Sequence, residues 1–185
     1  MSLSVHWDLY LPKTAAAGGV LEELRSYLEM QNFYYVGPLV HRSGEEADFR
    51  NLAHGEPDRY AMIIARRLLF MGRGPKPDVN YIQDVLPLEV YALLTSPGAG
   101  AEAAVFALGR YPAKVVNLAS GEEVPTGCGE GWWGHGFCNA RGVAHARLFK
   151  ALDFLAARGA LAGVNDEIGM ESEILDPEHA VVVAG

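Results

Sequence analysis

The first clear pattern in the chain is LSVHWDLYL, residues 3 to 11. Leu3, Val5, Trp7, Leu9 and Leu11 alternate with Ser4, His6, Asp8 and Tyr10. A period of two puts the apolar set on one face and predicts a half-buried strand. After Pro12 and Lys13 the period changes. Val20, Leu21, Leu24, Tyr27 and Leu28 recur three or four apart with Glu22, Glu23 and Arg25 between them, which predicts an amphipathic helix. FYYVGPLV, residues 33 to 40, is aromatic and β-branched and predicts a second strand, bent at Gly37-Pro38. Residues 42 to 55 turn polar and predict a surface loop. In residues 56 to 74, Pro57 and the spacing of Tyr60, Ile63, Ile64, Leu68 and Met71 favour a helix, although the β-branched centre leaves a strand open.

Residues 79 to 85 and 88 to 95 look extended, and the turn-rich SPGAGAE leads into AAVFALGRYP, so the latter two runs predict an antiparallel pair. AKVVNLA, residues 113 to 119, predicts another short strand. GVAHARLFKALDFLAARG gives the clearest helix: His145, Leu148, Phe149, Leu152, Leu155 and Ala156 share a face, and Gly159 stands where the chain must leave the helix. AGVNDEIGM reads as a short strand with acidic residues at its end, and Asp176-Pro177 as a helix start. Strands outnumber helices and often follow one another directly, without the regular alternation of a doubly wound sheet. The expected fold class is therefore α+β, a largely antiparallel sheet covered on one face by two or three helices. The expected organisation is one domain over residues 1 to 185.

Composition narrows the function. Hydrophobic residues make up 50% of the 185 and charged residues 21%, which predicts a packed core. The charge of −8, from 15 Lys+Arg against 23 Asp+Glu, opposes binding to phosphate backbones, so nucleic acid is not an expected partner. No run reaches the length of a membrane span and no leader pattern opens the chain, so a cytoplasmic protein without membrane attachment is expected. There is no dinucleotide fingerprint, phosphate-binding loop or serine nucleophile elbow, and no cofactor is expected.

Chemistry concentrates in GCGEGWWGHGFCNARG, residues 127 to 142, which holds both cysteines, two of three tryptophans and a histidine. GWWGHGFCNARG, the helix with His145 and the later GVNDEIGM resemble a family of uncharacterised bacterial proteins. That family carries a Trp, then Phe-Cys-Lys-Thr-Gln-Tyr-Ala, a helix with an internal His, and an Asp-Glu-Gly turn. PGAGAEAAVFALGRYP likewise resembles the family's Gly-rich turn, Glu and apolar strand before a Tyr-Pro. Where the family has Lys-Thr-Gln-Tyr, this chain has Asn139-Ala140-Arg141-Gly142. The resemblance groups Cys138, His145, Asp166 and Glu167 without assigning them an activity.

From the residues themselves, several arrangements compete. Cys128, His135, Cys138 and His145 have the ligand types of a zinc site, but C-x6-H-x2-C-x6-H is not a zinc spacing, and no metal is expected. Asn165, Asp166, Glu167, Glu171 and Glu173 offer oxygen ligands without the spacing of a calcium loop. Cys138, His145 and Asp166 would make a nucleophile, base and orienting carboxylate if they met, giving a thiol-dependent hydrolase or transferase. Trp132 and Trp133, adjacent on a strand, face opposite ways, one filling the core and the other free to line a site with Asn139, Arg141 and Glu167. His6 and Asp8 could join that site.

The expectation preferred on these grounds is a polar pocket formed by Cys138, His145, Asp166 and Glu167 that binds a small polar ligand or a protein segment. The thiol enzyme is the alternative, and an acidic inhibitor module that meets a basic partner is a third.

Overall fold

The computed structural model describes residues 4 to 44, 87 to 116, 121 to 125, 131 to 166 and 170 to 172. In chain order these form β1 (Ser4–Pro12), α1 (Ala17–Met30), β2 (Tyr35–Ser43), β3 (Glu89–Ser96), β4 (Ala104–Arg110), β5 (Lys114–Val116), β6 (Glu123–Pro125), β7 (Gly131–Asn139), α2 (Gly142–Ala157), β8 (Leu161–Asp166) and β9 (Met170–Ser172). Seven of the strands make one sheet in the order β2-β3-β4-β7-β1-β8-β9, every pairing antiparallel, and β5 pairs with β6 apart from it. The α+β class expected from the sequence is the class observed. The helix anticipated in residues 56 to 74 and the helix start at Asp176-Pro177 lie outside the described residues.

Alternation in β1 works as the sequence implies: Val5, Trp7, Leu9 and Leu11 are buried and Ser4, His6, Asp8 and Tyr10 are half-buried on the other face. The apolar face meets Leu21, Leu24 and Leu28 of α1 and Leu148, Leu152 and Leu155 of α2, all fully or almost fully removed from water. Both helices therefore pack on the same side of the sheet. At the end of α2, Gly159 takes φ +68°. Its N–H bonds the Ala156 carbonyl, and the Ala160 N–H reaches back to Leu155. This paired closure needs a left-handed residue, which glycine supplies without a steric cost. In β2 the pairing with β3 slips between Val36 and Leu39, at the Gly37-Pro38 bend.

The glycines of β7 have a packing reason. Trp7 crosses β7 from β1 to stack on Phe106 of β4, ring centroids 5.2 Å apart. Gly136 lies beneath its indole, and a Cβ there would collide with the ring. The space over Gly136 is therefore filled by the Trp7 ring. Among the described residues no helix is long and apolar enough to cross a membrane.

Candidate functional site

Register decides which of the candidate residues meet. On β1, Val5 pairs with Cys138 of β7 on one side and with Asp166 of β8 on the other. All three side chains point to the helix-covered face, with Val5 in the middle. Cys138 and Asp166 are thus two strand spacings apart, roughly 10 Å, beyond hydrogen-bond reach.

Asp166 has a different partner. Its buried carboxylate accepts from His145 Nε2 on the first turns of α2, at 3.0 Å. The imidazole is 22% exposed while the carboxylate is 2% exposed. The ring also packs on Phe149, 4.8 Å between centroids. A histidine on the apolar face of α2 therefore ties that helix to the last turn-out of β8.

Cys138 belongs to the core. It has no exposed surface, and its Sγ–H donates to the Glu102 carbonyl at 3.3 Å. Burial, and after it the negative charge of Glu102, push the thiol up to about 12. Such a thiol is held in its neutral form, whereas nucleophilic attack needs the thiolate. The Cys138-His145-Asp166 arrangement expected from the sequence is consequently divided: His145 and Asp166 meet, and Cys138 turns to Glu102 instead.

Trp132 and Trp133 separate as alternation requires. Trp132 is buried on the helix side, with Tyr91 5.5 Å away and the Arg110 guanidinium over its ring at 5.4 Å. Trp132 is thus the one of the two that fills the core, and of the pair named as ligand-binding candidates it has almost no surface to offer a ligand. Trp133 lies on the opposite face, edge-on to Tyr10 at 4.6 Å. Glu167 and Cys128 lie outside the described residues. His135 and Cys138, three apart on one strand, face opposite ways, so they do not share a metal; no group of three His, Cys, Asp or Glu is placed to hold one among the described residues.

On that opposite face a second histidine pair forms. His135 Nδ1 lies 2.6 Å from Asp8 Oδ1, across the β1–β7 pairing, and the His6 ring sits 5.7 Å from His135 and 5.8 Å from Phe137. His6 and Asp8 are on one face in the sequence pattern, but that His135 joins them depends on a register no local signal gives.

The remaining candidates, Asn139 and Arg141, line a cleft of about 430 Å³ at the end of β7. Its other walls are residues 99 to 102, the turn between β3 and β4, and Ala144 in the first turn of α2. The turn is held against α2. Arg147 donates to the Pro97 carbonyl at 3.1 Å, the Glu102 N–H donates to the Asn139 carbonyl at 3.3 Å, and Gly98 comes so close to Ala144 that a Cβ there would sit 2.8 Å from the Ala144 methyl. Arg141 occupies the position before the helix, with no side-chain cap and no acidic residue in the first turn. The backbone N–H groups that open a helix have no intrahelical acceptor, and their partial positive charge faces whatever sits there. Residues 99 to 102 were not singled out as site residues from the sequence, which shows there only a turn-rich run. Comparison with protein families, with curated proteins and with solved structures finds no match to this chain.

Proposed function

We propose that the protein is a binding module whose cleft at the start of α2 takes a small polar ligand. The observation that carries this reading is the convergence of Asn139, Arg141 and Glu102 on one open cavity of about 430 Å³. That volume lies within the range of small-molecule sites, and a few polar groups around small side chains are what such sites use to orient a ligand. The tethers from Arg147 to Pro97 and from Glu102 to Asn139 support the reading, because a wall fixed beforehand reduces the ordering cost of binding. Asn139 and Arg141 are two of the polar residues that line this cleft. On this reading they belong to the specificity of this chain.

Cys138 supports the wall through Glu102 and takes no part in chemistry, so the thiol enzyme is not the preferred reading. The test is a thermal-shift screen of polar small molecules on the wild-type chain and on Ala101→Trp, which fills the cleft. The expected result is a compound that raises Tm of the wild type and leaves Ala101→Trp unmoved. Equal shifts in both chains would place binding elsewhere.

A further inference from the structure

We propose that the ligand of this cleft is a zwitterion, a free amino acid or a similarly compact molecule, with its carboxylate toward Arg141 and its ammonium toward Glu102. This rests on the cleft being the binding site, as argued above. Arg141 and Glu102 line the same cavity, both are exposed, and among the described residues neither side chain makes an ion pair or hydrogen bond. The other described arginines are engaged: Arg25 with Glu22, Arg42 with the His41 carbonyl, Arg110 with Glu89, Arg147 with Pro97 and Arg158 with Glu23. An opposite pair left single on two walls of one cavity is what distinguishes this place.

The two charges are also separated by the fold. Residue 102 is bonded by its N–H to Asn139 at the end of β7, whereas Arg141 is two residues further on, where α2 begins. Asn139 lines the same cavity, with an amide that can donate to an anion or accept from an ammonium. On the Arg141 side the uncapped first turn of α2 adds to the preference for a negative group. On the other side the Glu102 charge reaches as far as Cys138, whose thiol it helps to raise. A simple anion entering the cleft meets the Glu102 carboxylate, and a simple cation meets Arg141 and the helix start. A molecule carrying both signs at short spacing satisfies both walls, and the repulsion on each side excludes singly charged competitors.

The experiment is calorimetric titration of the intact chain with each standard amino acid, followed by the N-acetyl derivative and the carboxamide of the tightest. Free amino acid is expected to bind, and blocking either end is expected to weaken binding about ten-fold or more, the scale of one charge-assisted contact. Glu102→Gln is expected to bind free and N-acetylated forms alike, and Arg141→Gln to bind free and carboxamide forms alike. Blocked forms that bind the wild type as tightly as the free amino acid would overturn the zwitterion. So would silence with every amino acid; if the thermal screen then still found a compound sensitive to Ala101→Trp, the cleft would remain a binding site for other chemistry, and if it found none, both readings would fall.

Discussion

Among the described residues there are two histidine–aspartate pairs, and they are built in opposite senses. In His145–Asp166, on the helix side, the carboxylate is 2% exposed and the imidazole 22%. In His135–Asp8, on the other face of the sheet, the imidazole is 11% exposed and the carboxylate 36%. The shorter contact is the more exposed one, 2.6 Å against 3.0 Å. Distance is therefore a poor guide to what each pair does for the fold. A buried carboxylate that loses a hydrogen bond has no water to replace it, whereas a carboxylate one-third exposed returns to water. The first pair is a constraint on where α2 starts, and hence on the cleft wall; the second is a cross-strand link between β1 and β7.

The sharpest way to break the helix side is Gly136→Ala. With the Trp7 indole over that position, the added methyl must displace a core ring, and a loss of about 3 kcal/mol is expected in urea unfolding, the upper range for overpacking. Next comes the pair comparison itself. His145→Ala is expected to cost about 2 kcal/mol, because it takes a hydrogen bond from a buried carboxylate, while His135→Ala, which leaves the one-third-exposed Asp8 carboxylate to water, is expected to cost about 0.5 kcal/mol more than the loss of ring packing alone. Equal losses by chemical denaturation would mean that burial does not separate the two pairs.

Cys138, two strands away from the Asp166 of the first pair, is expected to resist iodoacetamide at pH 8 in the folded chain and to react readily in denaturant, as read by peptide mass at that cysteine. Rapid alkylation of the native protein would restore the nucleophile.

The smallest effect concerns a third acid–base group, on β3. Burial of Glu89 opposes its charge, but hydrogen bonds from Arg110 and His41, and their positive charges, prevail and hold the carboxyl below its ordinary value. A carboxylate whose folded value lies below the unfolded one stabilises the fold above the unfolded value of 4.5, and that contribution is lost as pH falls from there through the folded value. Glu89→Gln should flatten this part of the acid limb of a stability–pH curve. An acid limb identical to that of the wild type would deny Glu89 its role.

Periodicity made the elements legible. The period of two in residues 3 to 11 and the period near 3.6 around His145 correspond to β1 and α2, and Gly159 marks the helix end. The partnership of His145 with Asp166 was legible as one alternative, because a helix followed closely by a strand folds back beside it. The separation of Cys138 from Asp166 was not, since it depends on β1 inserting between β7 and β8 and placing Val5 between them. Strand order is a non-local property, fixed by packing across the whole sheet. The same holds for the cleft: Glu102 and Arg141 are 39 positions apart in the sequence and share a cavity only because the β3–β4 turn docks on α2.

The most direct test of the cleft as the binding site is amide shift mapping by 1H–15N NMR, with whichever compound the thermal screen selects. Shifts are expected to concentrate at residues 99 to 102, Asn139 and Arg141 to Ala144, with His6, Asp8 and His135 unmoved. Shifts centred on His6, Asp8 and His135, with the β3–β4 turn and the start of α2 unchanged, would contradict the account and move the site to the other face of the sheet.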